Sequence, residues 1–345
     1  MNYIIPELDE QAGAEAATYL DTLTKPIGSL GKLEKIVIQL AEMKGQRKPV
    51  MNKLGIIVFA ADHGIVEEGI SAFPQQVTRQ MVDNMAQGGA AINVFGRQQQ
   101  AEFSLVDVGV IGNQFMEPVK NRKIRQGTQN FLQESAMTRE EVERALQIGY
   151  EEALAIFDEG VDCLVVGEVG IGNTTTSSAI VASVTGLDPA ELVGYGTGIS
   201  PEQHVHKIEV VRKALAFHQP NAQDGYDVLM KVGGLEIAAM AGAMLAAASN
   251  RIPIILDGFI STAAACIAER IGKGAANYML LGHQSMEPGH LKAFEYLGKE
   301  PILSLDMRLG EGTGAAVAFS IIQSAVCMIQ EMATFASAGV SGKND

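Results

Sequence analysis

The chain has 345 residues, 47% hydrophobic and 19% charged, with 37 glycines; that suits one large α/β domain plus a small accessory lobe, not a disordered chain. Its 26 basic and 40 acidic residues leave a formal charge of −14, which argues against a nucleic-acid or anionic-membrane surface. Cys163, Cys266 and Cys327 lie far apart with no Cys-x-x-Cys pair, so buried reduced thiols are expected in place of a disulfide or zinc framework.

In chain order, residues 7–23 read as an acidic, Ala-rich helix. Thr24 to Gly31 reads as a turn, with Ser29 as N-cap of a helix over Leu30–Lys44 whose Leu30, Leu33, Ile36, Val37 and Leu40 share one face. The N-terminus is acidic and lacks a signal-peptide apolar region. No apolar run is expected to span a membrane, because Glu236, Asn250 and Gln323 interrupt the best candidates. A cytoplasmic protein without membrane or nucleic-acid partners is the expectation.

Leu54–Ala61 is a buried strand ending in Asp62-His63-Gly64. Polar residues at the carboxyl end of a parallel strand are where open α/β sheets place ligands, although an Asp-His pair also serves as a satisfied turn. A helix is expected from Val77 to about Asn84, carrying Met81, and another over Ala90–Gln99. Phe103–Val108 is a third strand-like run, and Lys120–Arg125 a basic cluster more typical of a solvated loop than of an anion site. Thr138-x-x-Glu141 is a capping box that opens a helix to about Glu159.

Cys163 to Ala182 is the most informative stretch. The apolar run Cys163–Val166 suits a strand buried on both faces, broken by Gly167-Glu168-Val-Gly170-Ile-Gly172. Asn173 and Thr174–Thr176 follow as cap residues of a helix. Strand, glycine turn and helix N-terminus together aim backbone N–H groups at one place, a ready phosphate site. The glycine spacing matches neither the dinucleotide fingerprint nor a Walker loop. A plain tight turn explains the glycines alone; Glu168 and the hydroxyl run Thr174–Ser178 favour a phosphate-and-ribose cradle, since such groups are costly to bury unpartnered.

Beyond it come a second glycine loop, Gly194–Gly198, and a helix over Glu202–Phe217 with His204, His206 and Lys207. On a helix the His-x-His pair faces apart, so no metal is expected there. Leu229–Ser249 reads as an Ala/Gly/Met-rich helix, preceded by a Lys231-Val-Gly-Gly turn if its start frays. Ile252–Leu256 is a strand ending in Asp257-Gly258, Thr262–Ile271 a helix, and Tyr278–Gly282 a strand leading to His283 and Ser285. In Asp306-Met-Arg-Leu309-Gly310-Glu311-Gly312-Thr-Gly314, a carboxylate stands among three glycines ahead of the apolar helix Ala315–Met332. Glu311 fits a chemical role and a helix-capping role alike. Residues 333–345 read as frayed.

Five β-then-α units predict a doubly wound, mostly parallel, Rossmann-like sheet. The expected division is a large α/β domain over 50–314 and a small helical lobe from 1–49 plus 315–345.

Six stretches taken together, Lys25-Pro-Ile-Gly-Ser-Leu-Gly-x-Leu-Glu34, Ala61-Asp-His-Gly64, Gly167-Glu-Val-Gly-Ile-Gly-Asn-Thr-Thr175, Lys231-Val-Gly-Gly234, Leu256-Asp-Gly-Phe259 and Met307-Arg-Leu-Gly-Glu-Gly-Thr-Gly-Ala-Ala316, resemble one family over nearly the whole chain. It is the nicotinate-nucleotide–dimethylbenzimidazole phosphoribosyltransferase family of cobalamin lower-ligand synthesis. The resemblance implies transfer of 5-phosphoribose from nicotinate mononucleotide to a benzimidazole nitrogen, with inversion at the anomeric carbon, giving nicotinate and α-ribazole 5′-phosphate. It also implies a homodimer without metal or cofactor.

By the same resemblance the catalytic base falls on Glu311. The nucleotide cradle falls on Glu168, Gly170, Gly172, Asn173, Thr174 and Thr175, with Lys207 near the phosphate and Asp257, Gly258 and Ser285 lining the site. The base pocket falls near Phe73, Pro74, Met81 and Leu309. Phe73, Met81 and Gly172 stand where members of the family can carry Ser, Gln and Ala, which leaves the preferred acceptor open.

Elementary chemistry fits that reaction. Nicotinate leaves through a cationic pyridinium nitrogen and needs no general acid, whereas the attacking azole must lose its N–H proton, so one carboxylate base suffices. Positive charge on the ribose in the transition state would be favoured by Glu168 or Asp257. The competing readings are a sugar-phosphate hydrolase, which would want a polar acceptor pocket, and a non-catalytic nucleotide or benzimidazole binder, which would not need the carboxylate.

Overall fold

The computed structural model describes residues 3–196 and 198–341. Helix α1 (Glu10–Thr22) starts where the Asp9 carboxylate accepts the Ala12 N–H at 2.9 Å. Helix α2 (Lys32–Lys44) has Gly31, not Ser29, at its N-cap; its first turn is tied by Glu34, which accepts the Leu30 N–H at 2.9 Å and pairs with buried Lys25 at 2.9 Å. Strand β1 (Leu54–Ala61), helices α3 (Gln76–Ala86) and α4 (Ala91–Gln98), and strands β2 (Glu102–Gly109) and β3 (Lys120–Asn121) follow. Helix α5 (Arg139–Phe157) carries the expected capping box, with Thr138 and Glu141 each bonding the other's backbone N–H.

Then come β4 (Cys163–Val169), α6 (Asn173–Thr185), α7 (Pro201–His218), α8 (Gly225–Val232) and α9 (Leu235–Ser249). The chain closes with β5 (Ile254–Leu256), α10 (Phe259–Ile271), β6 (Met279–Gln284), α11 (Pro288–Tyr296), β7 (Pro301–Ser304), α12 (Thr313–Glu331) and α13 (Phe335–Ala338).

All strand pairings are parallel, and the seven strands lie in the order β3-β2-β1-β4-β5-β6-β7. Every residue of β1 and β4 is buried, as strands covered by helices on both faces require. The direction of winding reverses between β1 and β4, so a ligand crevice is expected outside the carboxyl ends beside that point.

Several details differ from the sequence reading. Two strands were not foreseen: β3, only two residues long, and β7, whose residues are half-buried at the sheet edge and carry no full apolar pattern. The expected helix 229–249 is two helices, because Gly233 and Gly234 adopt extended backbone between them. The basic cluster is structural: Lys120 and Arg122 pair with Glu152 of α5, Arg122 also with Glu151, Lys123 with Asp107 at 3.3 Å and Arg125 with Glu141 at 3.2 Å.

The segment after α12 is docked at Ala333 and Thr334 instead of frayed there, and α13 beyond it is exposed and held by its own cap. Leu23 bridges Thr334, and the Thr24 N–H donates to the Ala333 carbonyl at 3.0 Å. Residues 342–345 lie outside the described residues.

Helices α1 and α2 pack together, and α12 packs on α2 as well as on β4, β5 and β6. Despite Gln323, α12 is long and apolar enough to cross a membrane by length and composition, but 61% of it is buried against these neighbours. Burial on several sides removes the need for a polar face, which also explains the near-continuous apolar sequence of α9.

Candidate active site

Four loops meet at the carboxyl ends of β4 to β7, on one side of the switch point. Strand β4 runs through Gly167 and Glu168 to Val169 instead of stopping at Val166. Gly167 stays in the strand because the Glu311 backbone crosses directly over it: a Cβ there would collide with the Glu311 carbonyl. The glycine therefore permits one loop to lie on another strand's end.

The Glu311 loop is held in an unusual conformation. Gly310, Glu311 and Gly312 have φ of +90°, +65° and +95°, and for a non-glycine residue the left-handed region stores about 1–3 kcal/mol unless the surroundings enforce it. Asp257, at the end of β5, enforces it. Its Oδ2 accepts the Gly312 N–H at 3.1 Å, and its Oδ1 accepts the N–H groups of Gly314 at 2.7 Å and Ala315 at 3.2 Å. His283 Nε2 lies 3.2 Å from the same Oδ1. Asp257 is thus the clasp on the first turn of α12, a role that its place at a strand end did not reveal.

Glu311 is buried, and its Oε2 accepts the Ile92 N–H of α4 at 3.3 Å. Its Oε1 has no hydrogen-bond partner among the described residues. The sequence left open whether burial or the helix terminus governs this carboxyl. Burial wins: desolvation raises its pKa above the ordinary glutamate value, the Ile92 N–H opposes, and Asp257 adds to the rise.

Glu168 is more strongly affected. Burial, then Asp257 and Glu236, push it well above the carboxylate range, against the hydrogen bonds from Glu311 N–H and Asn173. Its Oε1 faces the Glu311 N–H at 3.4 Å, and Asn173 Nδ2 donates to its Oε2. Its environment therefore favours the neutral form more strongly than that of Glu311 does. Two groups whose environments separate their pKa values suit different jobs.

At the opposite end of the site lies Lys207, buried on α7, whose Nζ donates to Thr174 Oγ1 at 2.9 Å and to the Gly194 carbonyl at 3.4 Å. Desolvation lowers it to about 8, partly offset by Glu287. A cavity lined by Gly170, Gly172, Asn173, Thr174, Gly196 and Lys207 adjoins a second lined by Glu168, Asn173, Thr174, Asp257, Gly258, Ser285 and Leu309. They share Asn173, Thr174 and Gly196. Cationic end, glycine loop and carboxyl cluster form one groove, with room for an anion at one end and a sugar towards the other. Thr197, in the second glycine loop, lies outside the described residues.

Not every expected residue reaches that groove. Thr175 is fully buried in α6 and lines neither cavity. Phe73 and Pro74 are exposed on the loop before α3, and Met81 is half-buried on α3; none of the three lines either cavity. Glu311 stands behind Gly310 at the groove's edge, its Oε2 turned to α4. Reasoning from sequence missed Tyr195, which lines the first cavity, and His283 and Arg308, which line the second. Arg308 could have been found, since it sits in the same quoted motif as Glu311.

The Asp62-His63 pair, given a functional reading from its strand end, is a support. His63 is fully buried, with Nε2 2.7 Å from Glu236 Oε1 and Nδ1 3.0 Å from Thr176 Oγ1. Asp62 accepts the Ile111 N–H at 2.8 Å. His63 and Glu236 lie directly behind Gly170, so they fix the floor of the glycine loop. His204 and His206 face separate backbone carbonyls, those of Val193 and Glu68, at 2.8 and 2.7 Å.

Comparison with known proteins places the chain as a whole. A family model described as Phosphoribosyltransferase matches residues 5–340. The nicotinate-nucleotide–dimethylbenzimidazole phosphoribosyltransferase of Chloroflexus aggregans is 50% identical, over 100% of this chain and 98% of the relative. That of Halalkalibacterium halodurans is 46% identical over 98% of this chain and 95% of the relative. Among solved structures, CobT from Thermus thermophilus superposes with a TM-score of 0.94 at 43% identity, covering 96% of this chain and 100% of that one.

Proposed function

This chain belongs to the nicotinate-nucleotide–dimethylbenzimidazole phosphoribosyltransferase family, and from that premise we propose how its residues divide the work. The chain is a pentosyltransferase of cobalamin biosynthesis, moving phosphoribose from nicotinate mononucleotide to dimethylbenzimidazole. In our reading the phosphate sits on the glycine loop beside Lys207, Thr174 and the first N–H groups of α6. The ribose lies towards Asp257, Gly258 and Ser285, and the acceptor base near Leu309, with Phe73, Pro74 and Met81 closing around it.

Glu311 is the base. The observation that carries this is its geometry: a glutamate in a left-handed loop clasped by Asp257, one carboxylate oxygen fixed on a backbone N–H and the other without a protein partner among the described residues. A raised pKa makes its ionised form a better acceptor for the azole proton. The nicotinate departs without help, and the rest of the rate comes from holding two substrates in line. Glu168 or Asp257 supplies the negative potential opposite the developing ribosyl cation.

Incubation with nicotinate mononucleotide and dimethylbenzimidazole tests the whole reading. Free nicotinate and ribazole phosphate in equal amounts are expected. Nicotinate and ribose 5-phosphate without need of the acceptor would make the protein a hydrolase, and no nicotinate at all would make it a binder.

Lys207→Ala should weaken nucleotide binding by about 10–100-fold, the worth of a charge-assisted hydrogen bond, and leave benzimidazole binding unchanged. Because Lys207 is charged below about 8 and neutral above it, nucleotide affinity should fall as pH rises through that value. Titration calorimetry on either side of it checks both points; equal losses for the two ligands would remove Lys207 from the phosphate site.

With Phe73 and Met81 on the acceptor side, flat apolar rings should be used well. Loss of a ring methyl should cost about 1–3 kcal/mol in kcat/KM, so related benzimidazoles remain substrates. A preference for phenol or adenine over benzimidazoles in direct competition would overturn this assignment. We also assign the chain to a homodimer. Exposed Leu309 at the groove, with Phe73 and Leu305 also exposed, supports a covering partner, and sedimentation equilibrium giving a monomer would dismiss it.

A further inference from the structure

We propose that buried His290, outside the groove, is a positioning residue that presents Ser285 as a hydrogen-bond acceptor, so that Ser285 takes a ribose hydroxyl of the nucleotide and not its phosphate. The inference rests on the nucleotide reading given above.

The argument is an assignment of protons from two ends that cannot change roles. The Ser285 backbone N–H lies 3.0 Å from His290 Nδ1. An amide N–H only donates, so Nδ1 is the unprotonated nitrogen and the ring carries its proton on Nε2. At the other end, the Thr262 hydroxyl donates to the Gly258 carbonyl at 2.9 Å. Its proton is therefore spent, and its oxygen receives the Nε2 proton across 3.0 Å. The chain from Gly258 through Thr262 and His290 to Ser285 is consistent with one tautomer only.

Ser285 Oγ lies 2.9 Å from the same Nδ1. An oxygen facing an unprotonated nitrogen approaches favourably only through its own O–H, so the serine proton points to His290 and shares the Nδ1 lone pair with the backbone N–H in a three-centre bond. Both lone pairs are left to the groove, which Ser285 lines beside Gly258. A phosphate oxygen, which only accepts, finds no donor there. A sugar hydroxyl, which donates, finds a fixed acceptor.

His290 and Thr262 are fully buried, and the ring packs edge-on against Phe294 at 5.3 Å between centroids. Burial, with His283 adding to it, pushes His290 down to about 3, against Asp257, so the neutral ring persists across the working pH range. Sequence spacing gave no hint of this: Ser285 and His290 are brought together only by the turn from β6 into α11.

The test is a substrate cycle with nicotinate mononucleotide and its 2′-deoxy and 3′-deoxy forms, read as kcat/KM and as nucleotide affinity by calorimetry. Ser285→Ala should lower both for the parent nucleotide by about 3–10-fold, the usual worth of one neutral hydrogen bond. One deoxy form should lose the same factor with the unaltered protein, and Ser285→Ala should then cost nothing further on that form. His290→Leu, which removes the acceptor, should erase the same hydroxyl preference, and His290→Asn, whose Oδ1 replaces Nδ1, should restore it. A Ser285→Ala penalty that persists in full on both deoxy forms would overturn the proposal. If His290→Leu does not fold, the Ser285→Ala cycle decides alone. Absence of turnover in the unaltered protein would count against the transferase reading, while the calorimetric cycle would still decide the role of Ser285.

Discussion

Glu311→Gln should turn over about 10²–10⁴-fold more slowly than the parent at saturating substrates, the typical worth of a general base, with nucleotide affinity nearly unchanged. Glutamine keeps the shape and its oxygen still accepts the Ile92 N–H, but it cannot take the azole proton. The loop survives the change because Asp257, not Glu311, holds the backbone. Stability gives an independent check of sign. A carboxyl raised above its unfolded value binds the extra proton in the folded state, so its contribution is present at low pH and is lost as pH rises through the folded value. Neutral glutamine escapes that loss, and the variant's melting temperature at neutral pH should equal or exceed the parent's.

The pH profile sharpens the same prediction. The parent's kcat should fall on the acid side at a pH above the ordinary glutamate range, because Glu311 must be ionised to act. The variant's residual rate should lack that limb. Turnover within a few-fold of the parent would leave Glu311 as a loop residue and move the search for the base to Glu168 or Asp257.

Asp257→Asn should be damaging in a different way, losing stability and turnover together. The carboxylate accepts three backbone N–H groups of the 312–315 turn with two oxygens. An asparagine has one acceptor oxygen, and its amide must oppose at least one of those buried N–H groups. An unpaired buried donor costs about 1–3 kcal/mol, so unfolding should be easier by that amount. The released loop lets Glu311 drift, and a misplacement of about 1 Å is worth roughly 10²-fold in rate. Denaturant melts and kcat measured side by side separate the two variants: Glu311→Gln is slow and stable, Asp257→Asn slow and unstable. Parent-like stability in Asp257→Asn would refute the clasp.

Much of this was legible in the chain. The buried runs of β1 and β4, the capping box at Thr138 and the glycine-flanked Glu311 are local signals. Alternation, caps and backbone permissiveness act over a few residues and leave their mark on the sequence itself. The doubly wound parallel sheet followed from repeated strand–helix alternation, for which few topologies exist. Short edge strands β3 and β7 escaped because exposed and half-buried residues need no apolar pattern, and the break at Gly233–Gly234 was read only as a turn conditional on fraying of the helix start.

The candidate site residues were thus named from the sequence: one carboxylate among glycines and a glycine turn into a helix by local pattern, Lys207 by the family resemblance. Their duties were decided by tertiary structure. Asp257 and Glu311 are far apart along the chain, and only the approach of β5 to the start of α12 turns one into the clasp of the other. Burial raises the pKa of both Glu168 and Glu311, of Glu168 the more strongly. The basic run 120–125 became a structural ion-pair set because α5 laid its carboxylates alongside. Desolvation and hydrogen-bond partnership depend on which distant segments arrive beside a group, and no local pattern records that.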